Sequence, residues 1–239
     1  MSSKFIFNRH PNLKGKHAIF APSQSAWLRY DKDKVIEKLR NRYRTALGTE
    51  IHEFAASQIE LGHSYKRSTI KEIIRALETY IYSKYTYLSD SLVISDYGKK
   101  LIEQLKNVPT EVFEALKYYI TDGVGFKMEV ELPLQYDDSE YFFGTADTIC
   151  FNGNTLRIHD FKSGDNPAHI EQLKVYAALF CLEYNIKPYT INIILRLYQW
   201  NGIEEIVINK DTDGYEEFIS IIDTIVSMEK IARDIEEED

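Results

Sequence analysis

Residues 144–164, GTADTICFNGNTLRIHDFKSG, hold the signal around which the rest of this chain is organised. The two halves are rich in aromatic and β-branched residues, and Asn152-Gly153 between them is a strong hairpin signal. The pattern predicts two antiparallel strands, over 141–151 and 155–161. A two-residue turn at that dipeptide would pair Asp147 with Ile158 and leave Asp160 on the diagonal, whereas a four-residue loop would set Asp147 directly opposite Asp160. Either register puts both carboxylates on one face of the sheet. Lys162, two residues beyond Asp160, projects from that same face because strand side chains alternate with period two. Carboxylates ~5–7 Å apart across a sheet repel and require a compensating cation. The nearest candidates are Lys162 and a metal ion. On spacing alone, the three residues are equally an ordinary solvated strand face with one ion pair.

The rest of the chain narrows the classes. With 239 residues, 44% of them hydrophobic, and 17 tyrosines and 12 phenylalanines, it can bury a sizeable core as one large domain or a domain with an appended helical part. The two cysteines, Cys150 and Cys181, fall in a predicted strand and a predicted helix without CxxC spacing, which supports neither a disulfide framework nor an iron–sulfur or zinc cluster. No apolar run approaches the ~20 residues of a membrane span. The opening MSSKFIFNRHPNLKGK has too short an apolar stretch for a signal peptide, so a cytoplasmic location and no membrane partner are expected.

Net charge is −8, unevenly placed: residues 1–44 carry 11 Lys/Arg against 3 Asp/Glu, and the remainder 18 basic against 34 acidic groups. A basic N-terminal region on an acidic body suits a protein that grips phosphate locally while concentrating carboxylates at a metal site. A solvated basic helix over 32–44 is the plain alternative. The terminal IEEED reads as a solvated tail.

The first half reads as helical. Ser23 or Ser25 is placed to cap a short helix through Trp27 and Tyr30, and 33–46 is a basic helix. Gly48-Thr49 then opens a second helical segment, whose apolar positions Ile51, Phe54, Ala55 and Ile59 follow helical spacing. Further helices are expected at 68–85, 96–107 and 109–120. The period then changes: 126–136 alternates as a strand, the hairpin follows, and Asn166-Pro167 starts a helix to about Tyr184. Strands at 191–200 and 203–209 flank a second Asn-Gly turn, and a helix near 214–235 closes the chain. The expected organisation is a single unit over 1–239: a mainly helical part (1–125), a β-rich core (126–210), and a C-terminal helix with its acidic tail (211–239).

Four pieces thus stand in order: GTEIHEF on a helix, GTADT on a strand, HDFKSG on the next strand and QLKVYAALF on the helix after it. This order resembles the RecB-like exonuclease branch of the PD-(D/E)XK nuclease superfamily, over roughly residues 44–200. The resemblance implies an α/β restriction-endonuclease-like core, a mixed central sheet flanked by helices, with an N-terminal helical region. It also implies that Asp147 and Asp160 bind metal, that Lys162 is the active-site lysine, and that His52 is a histidine ligand from an upstream helix. The main-chain carbonyl of Phe161 would complete part of the coordination, and Gln172 and Tyr176, one helical turn apart, would face the DNA strand.

Each of these has a plainer reading. His52 flanks an apolar stripe and suits a half-buried core position, and Gln172 and Tyr176 suit a polar edge and a packed aromatic. Glu53 beside His52 invites an HExxH zinc-protease reading, which fails because the second histidine would fall on Ala56. Glu129 and Glu131 share a strand face near the hairpin and would add a second metal contact or simply face solvent. Arg196, alone in an apolar strand, would reach a phosphate or form an internal ion pair.

Carboxylate oxygens favour Mg²⁺ or Mn²⁺, and an imidazole ligand tilts the preference toward Mn²⁺. The resemblance therefore implies a metal-dependent deoxyribonuclease that cleaves by in-line attack of activated water and leaves 5′-phosphate and 3′-hydroxyl ends. An exonuclease acting at DNA ends in recombination or DNA processing, of phage or mobile-element type, is the leading expectation. A recombination or annealing protein would be its partner, an oligomer is compatible with processive digestion, and the host cytoplasm would be its place. A structure-specific or single-strand endonuclease with the same site is one alternative. A catalytically silent, nuclease-like DNA-binding or interaction module is another. Relatives with an iron–sulfur cluster use four cysteines, and neither that set nor a GxxxxGK[ST] phosphate loop is present here.

Overall fold

The computed structural model describes residues 28–88, 92–164 and 169–238. The expected cap at Ser23 or Ser25, Trp27, and the Asn166-Pro167 helix start lie outside the described residues. Contacts divide the chain into two units, 1–46 and 47–239. In the first, helix α1 (Lys32–Glu60) begins where the Asp31 carboxylate accepts the Lys34 N–H at 2.8 Å, a side-chain cap.

The second unit holds the remainder of α1, with Leu47, Ile51, Phe54, Ala55 and Ile59 buried on one stripe. The helix runs through Gly48, where a break was expected. That glycine serves a close approach instead: a Cβ there would lie 3.1 Å from Ser163 Oγ, on the loop that follows Lys162. Helix α2 (Ile70–Lys84) starts on a full capping box between Thr69 and Glu72 and buries Ile73, Leu77 and Ile81. A small hairpin, β1 (Thr86–Leu88) and β2 (Leu92–Ile94), leads into α3 (Asp96–Leu105), which is capped by Ser95.

Helix α4 (Thr110–Phe126) is longer than expected, taking residues 121–126 that alternation had assigned in part to a strand. Packing explains the extension. Gly123 lies against Ile59, so closely that a Cβ would be 2.6 Å from its Cδ1, and Phe126 meets His159 edge-on with ring centroids 5.9 Å apart. The helix ends on left-handed Lys127 (φ 54°).

Five strands follow: β3 (Glu129–Gln135), β4 (Phe143–Asn152), β5 (Thr155–Phe161), β6 (Asn192–Gln199) and β7 (Gly202–Ile208). They form one mixed sheet in sequence order, antiparallel except for the parallel β5–β6 pair. A parallel pair requires a crossover, here helix α5 (Glu171–Glu183), which starts four residues later than Pro167 and has no side-chain cap. Helix α6 (Tyr215–Glu238) closes the chain. The architecture is the expected mixed α/β sheet flanked by helices, with a helical region before it.

Period-two alternation sorts the central strands. Leu156, Ile158, Leu195 and Leu197 join Ala177, Ala178, Phe218 and Ile225 in the main core under α5 and α6. His159, Phe161 and Tyr198 face Tyr119 and Phe126 of α4 on the other side. Asp160 falls on the α5 side, one strand position past that apolar core.

Candidate active site

The β4–β5 turn fixes the site. Asn152 pairs with Thr155 and Ile149 with Ile158, so the two-residue turn is Gly153-Asn154, one residue later than Asn152-Gly153. Gly153 takes φ 62°, the left-handed conformation such a turn demands. With Thr148 opposite His159, the next step places Asp147 directly opposite Asp160. A short turn therefore produces the direct pairing that was expected only of a longer loop.

The two carboxyl groups shift one another's titration in opposite directions. Burial, then the contact and charge of Asp147, push Asp160 well above the usual carboxylate range. Burial works against the charge of Asp147 too, but its contacts with His52 and Asp160 and the Lys162 charge outweigh it and hold its pKa down. Asp160 thus gives up its proton at higher pH than an isolated carboxyl group does.

Lys162 Nζ lies 2.8 Å from Asp160 Oδ2. Burial works to discharge the amine, but Asp160 and Asp147 outweigh it and keep the ammonium above its usual range. It is a fixed cation here rather than a base. On the other side, His52 Nδ1 stands 3.4 Å from Asp147 Oδ2, too long and misdirected for a good hydrogen bond. That oxygen is buried without a hydrogen-bond partner. The His52 ring packs on Phe161 with centroids 5.4 Å apart.

The turn of α1 that carries His52 is braced. Buried Glu50 accepts from Lys84 Nζ at 2.9 and 3.1 Å and from the Tyr85 hydroxyl at 2.6 Å, while Glu53 accepts from the same lysine and from Tyr80. Glu53 is therefore tied to α2. Sequence reading missed this brace, because Glu50 and Lys84 lie 34 residues apart.

Gln172 and Tyr176 project together from α5, with Gln172 Nε2 donating to the Tyr176 hydroxyl at 3.0 Å. Tyr176 is close enough to Lys162 to act on its pKa. Its ring rests where Gly144 lacks a side chain: a Cβ there would lie 2.8 Å from Tyr176 Cε1. The glycine of GTAD thus admits the tyrosine to the site.

The remaining candidates separate. Glu129 pairs opposite Ile149, two residues along from Asp147. Arg196 forms the internal ion pair of its two readings, to Asp122 at 2.6 Å and to Glu205. Glu131 stands between the pairs Val130–Thr148 and Leu132–Ala146, hence opposite Asp147. Burial first, then the Asp147 charge, raise its pKa, and His52 partly offsets them. Its φ is 50°. Left-handed backbone costs an ordinary residue about 1–2 kcal/mol. The other non-glycine positive-φ residues, Lys127, Asp137, Asp138 and Asn185, sit at helix ends or in the β3–β4 turn. Glu131 alone among them lies inside a strand.

Among the described residues no group of three or more His, Cys, Asp and Glu side chains stands gathered at metal-binding distance. The donor set nevertheless fits a divalent cation. An orphaned buried oxygen on Asp147 has a neighbouring imidazole and a second carboxyl group set against it, and once Asp160 ionises the two carboxylates carry more charge than Lys162 alone balances. His52, Asp147 and Asp160 would hold the ion, with the Phe161 carbonyl as the main-chain donor that the resemblance implies.

No helix of the described residues is long and apolar enough to cross a membrane. No curated protein and no solved structure matches the chain. A family profile matches residues 17–201, which include every residue of the site, and on that match the chain belongs to DUF2800, a family of proteins of unknown function.

Proposed function

We propose that the chain is a metal-dependent deoxyribonuclease similar to the RecB-like branch of the PD-(D/E)XK superfamily, acting as an exonuclease on DNA ends. The observation that carries this reading is the hairpin register. It sets Asp147 and Asp160 in contact, with Lys162 on one and His52 beside the other. An ordinary strand face would separate two carboxylates or give each its own cation. Here they are held together in a partly buried place against their mutual repulsion.

Asp147, Asp160 and His52 would hold a divalent cation, which when bound would supply the positive charge that activates water and neutralises a scissile phosphate. Lys162, kept protonated, orients the water and stabilises charge on the transferring phosphoryl group. Asp160 must give up its proton before it can bind a cation. Gln172 and Tyr176 contact the DNA backbone beside the site, and buried Phe161 and Tyr119 exclude water behind it.

End-labelled linear duplex, incubated with Mg²⁺, with Mn²⁺ and with chelator, tests the reading. Metal-dependent release of label by the parent protein and none by Asp160→Asn is the expected result. Equal release by both proteins would remove the site. A covalently closed circle run in parallel stays intact under an exonuclease; its cutting would convert the reading to an endonuclease with the same residues.

A further inference from the structure

We propose that the corner between α1 and α2 is a phosphate-binding surface, which holds the DNA duplex away from the cleavage site through Lys66, Arg67, Lys71 and Arg75. The inference rests on the nuclease reading and adds a second contact with its substrate. Four of the 18 Lys and Arg residues in 45–239 fall within ten positions, 66–75, in a stretch whose single acid is Glu72. All four are exposed. Lys84, Lys162, Lys174 and Arg196 each stand against a carboxylate, whereas none of the four corner residues forms an ion pair among the described residues. Unneutralised cations grouped on an otherwise acidic body are the electrostatic footprint of a polyanion.

The corner is also held in shape. Buried Tyr65 packs on Phe54 and on the His63 ring, with centroids 6.2 and 5.4 Å away, and its hydroxyl donates to Gln58 Oε1 at 3.0 Å. With that ring anchored inward, the next two side chains, Lys66 and Arg67, lie in solvent. Lys117 of α4 then ties the backbone, donating from Nζ to the Ser68 carbonyl at 2.7 Å. Glu72 is occupied by the helix cap, where its Oε2 accepts from the Thr69 N–H at 2.7 Å and from the Thr69 hydroxyl at 3.0 Å. Lys71 and Arg75, one helical turn apart, are exposed on α2 while Ile73 and Leu77 are buried. The corner begins where α1 ends, ~12 Å beyond His52 at 1.5 Å per residue. At ~3.4 Å per base pair, a duplex gripped there is held about four base pairs or more from the scissile phosphate.

Anisotropy titration of a fluorescein-labelled duplex in chelator, where no cleavage occurs, tests the assignment on the full chain. The double variants Lys66→Ala with Arg67→Ala and Lys71→Ala with Arg75→Ala are each expected to weaken binding about tenfold, and to reduce the slope of log affinity against log salt by about two. Lys187→Ala with Lys210→Ala removes two exposed charges elsewhere and should leave affinity and slope unchanged. Parent-like affinity and slope in both corner variants would overturn the assignment, as would an equal loss in the control, which would reduce the effect to net charge. Metal-dependent cleavage by the parent would leave the nuclease reading standing in either case. A parent that neither binds nor cleaves the duplex would overturn both. Corner-dependent binding of phosphatidylserine vesicles without binding of the duplex would overturn the DNA assignment in favour of a lipid surface.

Discussion

Two polar clusters flank the centre of the sheet, and they are built on opposite principles. On the α4 side, Asp122 accepts from Arg196 Nη1 and from the Tyr198 hydroxyl, each at 2.6 Å; Arg196 also donates to Glu205, and His159 Nδ1 meets the Tyr198 hydroxyl at 3.3 Å. Each acid has a cation or a donor, and the atom left without a partner is a ring nitrogen, His159 Nε2, rather than a carboxylate oxygen. On the α5 side, Asp147 and Asp160 face each other, one ammonium serves both, and one oxygen is left over. The first arrangement locks α4 and β7 to β6. The second is costly by itself and becomes favourable only when positive charge arrives. A closed network, whose acids are all paired, holds a fold, and an open one, with an unpaired carboxylate oxygen, is suited to take up a cation.

Asp160→Asn disrupts the open cluster and should have the largest effect. Cleavage of linear DNA is expected to fall by about 10³-fold or more, equivalent to about 4 kcal/mol of barrier. The metal-free protein should melt at or above the parent temperature, because the substitution removes a repulsion. A matched fall in melting temperature would place Asp160 in the structural class instead.

Asp122→Ala should do the reverse. It leaves Arg196 with Glu205 and a 3.3 Å contact to the Tyr198 hydroxyl, and leaves that buried hydroxyl only its 3.3 Å contacts with Arg196 and His159 in place of a 2.6 Å bond. Breaking a buried pair costs about 3–5 kcal/mol; with both side chains partly exposed, about 2–3 is expected here in urea unfolding. Turnover per folded molecule should hold. A large loss of turnover at unchanged stability would erase the distinction between the clusters.

Protonation widens the contrast, since the two sides carry opposite signs. Burial, then the Arg196 and Arg157 charges, lower the His159 pKa to about 3. Its folded value lies below its unfolded value, so its contribution is present above about pH 6.5 and is lost as pH falls toward 3. Asp160 is shifted upward, so its contribution is present below the unfolded carboxylate pKa near 4 and is lost as pH rises toward neutrality. Unfolding free energies of parent, His159→Gln and Asp160→Asn across about pH 4–8 should therefore diverge in opposite directions. Mn²⁺ affinity of the parent should climb over the same range, because the ion must displace the Asp160 proton. A flat affinity profile would mean that Asp147 and Asp160 hold no proton between them.

Much of the open cluster was legible in the sequence because strand parity is local: the face shared by Asp147, Asp160 and Lys162 follows from counting. The pairing itself was not. FNGNT reads nearly the same in both directions around Gly153, so Asn-Gly and Gly-Asn turns compete, and Gly153 at the first central position wins. The closed cluster was less legible, since Asp122 and Arg196 meet across 74 residues. Gly48 read as a helix break because its neighbour, Ser163, is still more distant in sequence. The left-handed backbone of Glu131 has no local signal, such as a glycine or asparagine, to announce it.

Gly144→Ala probes the edge of the open cluster and should have the smallest effect. The new methyl would sit 2.8 Å from Tyr176 Cε1, closer than carbon atoms tolerate, so the ring must swing away and its bond with Gln172 must stretch. An aromatic side chain yields by rotating about χ1 and χ2, which keeps the cost low. If Tyr176 only positions DNA, KM should rise about threefold, or about 0.6 kcal/mol, with kcat nearly unchanged. Tyr176→Phe removes the hydroxyl and keeps the ring, so it separates the hydrogen bond from the packing. A fall in kcat alone would mean that the ring acts on Lys162, which it neighbours, rather than on the strand being held.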